Sequence, residues 1–144
     1  MNLNATEMTP AEWEVMRIIW TKGDVGSNDI IAAVRNKRDW SESTIKTLLR
    51  RLVKKEMLTT VATGHRFTYH PAISEQVAMA QTTTHLFASL CAMKKGAALV
   101  HLIEETPLSR ADIETMQQVL AQKLTTAPES VPCDCLAGTD DCCD

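Results

Sequence analysis

Aromatic side chains are scarce: three Trp, two Phe and one Tyr, 4% of 144 residues. The core must therefore come from aliphatic side chains, with the seven Met spread along the chain as filler rather than gathered into a copper-binding box. No apolar run approaches the ~18 residues of a membrane span, and no secretory leader is expected. The expected location is the cytoplasm, with no membrane partner and with reduced cysteines. Nucleophile–base motifs, a P-loop and the dinucleotide-binding glycine pattern are all missing, so the chain is not expected to be an enzyme. The four His lie scattered at 65, 70, 85 and 101, without ligand spacing. A net charge of −3 advertises no general affinity for nucleic acid.

The distribution of charge says more than its sum. Residues 1–71 carry 11 Lys/Arg against 8 Asp/Glu, and residues 72–144 carry 4 against 10. A basic first part beside an acidic second part fits a nucleic-acid module with an appended partner or sensor region. With 44% hydrophobic residues, a packed core is within reach.

The most informative stretch is Ser41–Lys55, SESTIKTLLRRLVKK. Ile45, Leu48, Leu49, Leu52 and Val53 fall on one stripe of a helix, behind Ser41 as N-cap. Ser43, Thr47, Arg50 and Lys54 fall on the opposite face, flanked by Thr44 and Arg51. Short hydroxyls at the start and long cations further on suit a helix entering a DNA major groove N-terminus first. The alternative is an ordinary solvated basic face.

Upstream, Thr9, Pro10 and Glu12 read as a capping box in front of a helix through Trp13, Met16, Ile19 and Trp20. Residues 1–8 read as a loose end. Ser27 is the expected cap of a second helix bearing Ile30, Ile31 and Val34. After the third helix the period changes. Leu58–Ala62 and Arg66–His70, joined by Thr63-Gly64-His65, read as a hairpin that Pro71 stops. Three helices and a hairpin make a winged helix-turn-helix, with Arg66 on the wing able to reach a phosphate or the minor groove.

The expected class is thus mainly α with a small β-hairpin. Residues 1–71 form the winged-helix DNA-binding domain, 72–125 a helical dimerisation region, and 126–144 a linker with a cysteine hook. The middle region predicts helices over Ser74–Met93 and around Gly96–Glu105, then another capped by Ser109. Their stripes are thin, and a second copy of the chain is the economical way to bury them; a homodimer also suits a reader of inverted repeats. Cys91, at an apolar position within the first of these helices, reads as a small buried hydrophobe.

Four cysteines crowd the end: Cys133, Cys135, Cys142 and Cys143. Thiolates are soft and select Zn(II) or Cu(I). Four thiolates sum to −2 with one Zn(II) and also with two Cu(I), so a switch between them would act through geometry. A disulfide-forming redox tail and a disordered acidic end are the rival readings.

With TPAEWEVMRIIW, STIKTLLRRLVKKEML and GHRFTYHP in place, the chain resembles the BlaI/MecI/CopY family of winged-helix repressors. VPCDCLAGTDDCCD is similar to the hook of the family's copper branch, although its second pair, Cys142-Cys143, is adjacent. The resemblance implies a homodimer on a palindromic operator ahead of copper-transport genes. It implies that Zn(II) favours DNA binding and that Cu(I), handed over by a copper chaperone, releases it. The reading-helix role would fall on Thr44, Lys46, Thr47, Arg50 and Arg51, and the wing role on Arg66. Two other functions stay open: a copper-buffering or chaperone-docking protein without specific DNA binding, and a same-fold repressor sensing thiol oxidation or another soft metal.

Overall fold

The structure is a computed structural model of the chain and describes residues 3–138. The chain divides into two compact units between His85 and Leu86.

The first unit opens with α1 (Pro10–Lys22), started by the Thr9–Glu12 capping box: the Thr9 hydroxyl accepts from Glu12 N–H and the Glu12 carboxylate accepts from Thr9 N–H. The residues before it are not a loose end. Ala5–Glu7 form a 3₁₀ turn, Ala5 is buried, and the Gln81 amide bonds both Ala5 N–H and Leu3 carbonyl at 2.9 Å. The side chain that holds this segment lies 76 residues further along the chain, beyond the reach of local pattern.

β1 (Val25–Gly26) follows, then α2 (Ser27–Arg35). Ser27 is not the cap of α2. Val25 and Gly26 pair with Tyr69 and Thr68, so the extended backbone reaches Gly26, which takes the N-cap position without a side-chain bond. α3 (Glu42–Lys54) starts at Ser41, whose hydroxyl accepts from Thr44 N–H. It ends in a Schellman turn: Met57 N–H donates to Leu52 carbonyl and Glu56 N–H to Val53 carbonyl. Glu56 supplies the left-handed residue, φ +65°.

β2 (Leu58–Thr63) and β3 (Arg66–Pro71) form the hairpin, and the sheet order is β1-β3-β2, antiparallel. Thr63 faces Arg66 across a two-residue loop whose first residue, Gly64, has φ +66°, as a II′ turn demands. The core lies where the three helices meet the sheet: Val15, Met16 and Ile19 from α1, Ile30 and Val34 from α2, Ile45, Leu49 and Leu52 from α3, with Met57 and Leu58 below. This is a winged helix-turn-helix. Trp20 ties it to the chain beyond the wing, its indole N–H donating to Ile73 carbonyl at 2.9 Å. α4 (Glu75–Ala88) then begins, with Ala78 fully buried in the same core.

The helix expected over Ser74–Met93 is broken. Ser89 N–H and its hydroxyl both donate to Leu86 carbonyl, and Leu90 N–H donates to Phe87 carbonyl. These tight bonds close the last turn and the chain leaves the helix. Cys91 becomes the N-cap of a 3₁₀ turn, Ala92–Lys94, which runs into α5 (Lys95–Glu105). α6 (Arg110–Leu124) follows, with Ser109 and Asp112 in a reciprocal capping box as expected. Among the described residues, no single helix is long and apolar enough to cross a membrane.

Candidate nucleic-acid interface and cysteine cluster

α3 turns Ile45, Leu48, Leu49 and Leu52 inward, and all four are buried. That burial fixes the rotation of the helix about its axis. Ser43, Thr44, Lys46, Thr47, Arg50, Arg51 and Lys54 are consequently all exposed. The hydroxyls at the start are organised among themselves. Ser41 Oγ is 3.1 Å from Ser43 Oγ and 2.9 Å from Thr44 Oγ1, and Thr47 Oγ1 donates to Ser43 carbonyl at 2.9 Å.

The cations divide by partner. Lys46 pairs with Glu42 one turn back, 2.8 Å, and the Lys46 ammonium holds the Glu42 carboxyl below the usual carboxylate range. Lys55 is committed inward to Glu12. Among the described residues, Arg50, Arg51 and Lys54 form no ion pair, so their charge faces solvent. Arg66 is exposed at the first position of β3, beside the tip of the hairpin. A convex helix with uncompensated cations and a strand hairpin in the same unit is a DNA-docking shape.

The second unit holds a different chemistry. The sulfurs of Cys91, Cys133 and Cys135 all lie within 4.8 Å of one another. Cys91 Sγ is 3.7 Å from Cys133 Sγ, and Cys135 N–H donates to Cys133 Sγ at 3.4 Å. The Asp134 carboxylate accepts from Ala92 N–H at 2.8 Å, clamping the two stretches together. Cys142 and Cys143 lie outside the described residues.

Cys91 is the residue that sequence reasoning missed. It was expected as packing inside a helix, yet it sits half-buried at the helix break, beside the tail cysteines. The one available signal is arithmetic: five cysteines are one more than two pairs require. Asp134, between Cys133 and Cys135, serves here as a hydrogen-bond acceptor.

Fold and exposed helix face together define a winged-helix protein of the DNA-binding class. The penicillinase repressor family matches residues 8–122, and the chain belongs to that family, one of transcriptional repressors rather than enzymes. It is 52% identical, over 96% of its length and 95% of the relative's, to an uncharacterised 16.5 kDa protein from Latilactobacillus sakei. It is 31% identical to the methicillin resistance regulatory protein MecI of Mammaliicoccus sciuri, over 85% of this chain and all of that one. Among solved structures, the DNA-binding domain of the repressor BlaI is 35% identical with a TM-score of 0.48, covering 51% of this chain and 90% of that domain.

Proposed function

We propose that this repressor is metal-responsive. As a homodimer with Zn(II) in its C-terminal cysteines it holds a palindromic operator, and Cu(I) binding at those cysteines releases it, controlling copper-homeostasis genes. The observation that carries the reading is the convergence of cysteine sulfurs within 4.8 Å in a protein whose other unit bears the exposed basic face of α3. Soft thiolates in that number select Zn(II) or Cu(I) over hard cations.

Dimerisation is supported by what α5 and α6 leave uncovered. Neither helix has a buried residue, while Leu99, Val100, Leu102, Ile103, Val119, Leu120 and Leu124 are 44–76% exposed. Helices of 11 and 15 residues do not hold in water on propensity alone, and a second copy supplies the missing burial.

The same closeness of the sulfurs favours one second reading, release by thiol oxidation rather than by a metal. Selection from random duplexes with the zinc-loaded protein, then titration of the selected site, tests both. An inverted repeat bound at least about tenfold more weakly after Cu(I) loading supports the metal switch. Unchanged affinity with Cu(I), but loss on oxidation, replaces it with the redox reading.

A further inference from the structure

Resting on the metal-responsive reading, and extending it to a residue outside the tail, we propose that Cys91 is a thiolate ligand of the same soft-metal site as Cys133 and Cys135. Ion binding then fastens the C-terminal segment to the turn that precedes α5.

Three independent features converge there. The first is spacing. A tetrahedron of Zn–S bonds of ~2.3 Å has edges of ~3.8 Å, and the Cys91–Cys133 sulfur separation is 3.7 Å. The second is backbone support. Asp134, between Cys133 and Cys135, accepts from Ala92 N–H, the residue after Cys91, at 2.8 Å. The two stretches are therefore held in register without the metal. The third is the bond from Cys135 N–H to Cys133 Sγ, 3.4 Å, which orients that sulfur. Beside the cluster runs a groove with Ala92, Met93 and Gly96 on one wall and Val131 and Pro132 on the other.

The reaction balances simply. Any disulfide that these cysteines hold is first opened by a phosphine. The phosphine gives up two electrons and becomes its oxide, and water supplies the oxygen and the two protons taken up by the thiols. Each of the three thiols then loses a proton on ligation, so one Zn(II) with these three sulfurs carries −1 and releases three protons. The fourth position of the tetrahedron is open to a further donor. Three sulfurs alone suit Cu(I).

The test uses the full chain, reduced with a phosphine, and Zn(II) alone as probe. Binding is measured by competition with a chromophoric chelator, the sulfur shell by X-ray absorption, and Cys91 accessibility by iodoacetamide labelling. Zn(II) is expected to shield Cys91 from alkylation in the wild-type chain, a readout that needs no variant. Cys91→Ser is expected to weaken Zn(II) binding at least about tenfold and to remove one sulfur from the shell. Equal labelling of Cys91 with and without Zn(II), together with an unaltered shell in Cys91→Ser, overturns the assignment of Cys91 alone. Failure of the wild-type chain to take up Zn(II) overturns the metal reading with it.

Discussion

Lys55, at the end of α3, lays its ammonium across the carboxylate of Glu12 on α1, 2.9 and 2.8 Å from the two oxygens. A third bond runs from the same nitrogen to Glu7 carbonyl, 2.8 Å. Glu12 is fully buried and also caps α1 through Thr9. One carboxylate thus closes the start of α1 and anchors the far end of the helix that bears the basic face.

Removing either partner leaves the other without its counter-charge. Glu12→Gln keeps a capping acceptor but strands the Lys55 ammonium, and Lys55→Met strands a buried carboxylate. Each is expected to cost about 3 kcal/mol, the low end for a buried pair because Lys55 keeps some contact with water. Urea unfolding checks this; losses below about 0.5 kcal/mol for both would mean that the pair contributes little.

Arg50 and Lys54 share the exposed face of α3 but should differ in kind. Arg50→Ala is expected to cost about 1–3 kcal/mol on the selected operator and much less on random duplex. Lys54→Ala should weaken both alike and reduce the salt slope by about one. Fluorescence anisotropy at several salt concentrations separates the two. An equal loss on random DNA for Arg50→Ala reassigns it to phosphate.

Glu56 holds a left-handed conformation, φ +65°, in the turn that ends α3. Glycine reaches that region without a Cβ clash but raises the entropy of the unfolded chain. Glu56→Gly is expected to stabilise the protein by about 0.5 kcal/mol net, read from the urea midpoint at unchanged slope. A destabilised variant would show that the Glu56 side chain contributes more than its backbone costs.

Leu120 and Leu124 stand 57% and 76% exposed on α6. If α6 carries the proposed dimer contact, the double variant Leu120→Asp, Leu124→Asp should sediment as a monomer and the wild type as a dimer. Operator affinity should fall with it, since two half-sites are then bound independently. A variant that stays dimeric takes α6 out of the interface.

Local chemistry made much of the winged domain legible. The stripe from Ile45 to Leu52 has a single period, Thr9 and Glu12 sit at capping distance, and Gly64 marks a turn that other residues resist. Such features depend on neighbours a few residues apart, so the exposed residues of α3 could be named in advance. The tail cysteines stand out in the same way, crowded within eleven positions, although Cys142 and Cys143 lie outside the described residues. Long-range partners were out of reach of pattern. Gln81 bonding Ala5, Trp20 bonding Ile73 and Lys55 bonding Glu12 join residues 43 to 76 positions apart. Cys91 is the clearest case. Its apolar surroundings in the chain suggest packing, but α4 ends at Ala88, before Cys91, and the thiol lies 3.7 Å from Cys133 Sγ. Period and capping are properties of short segments, whereas the meeting of two sulfurs 42 residues apart depends on how the whole unit folds back on itself.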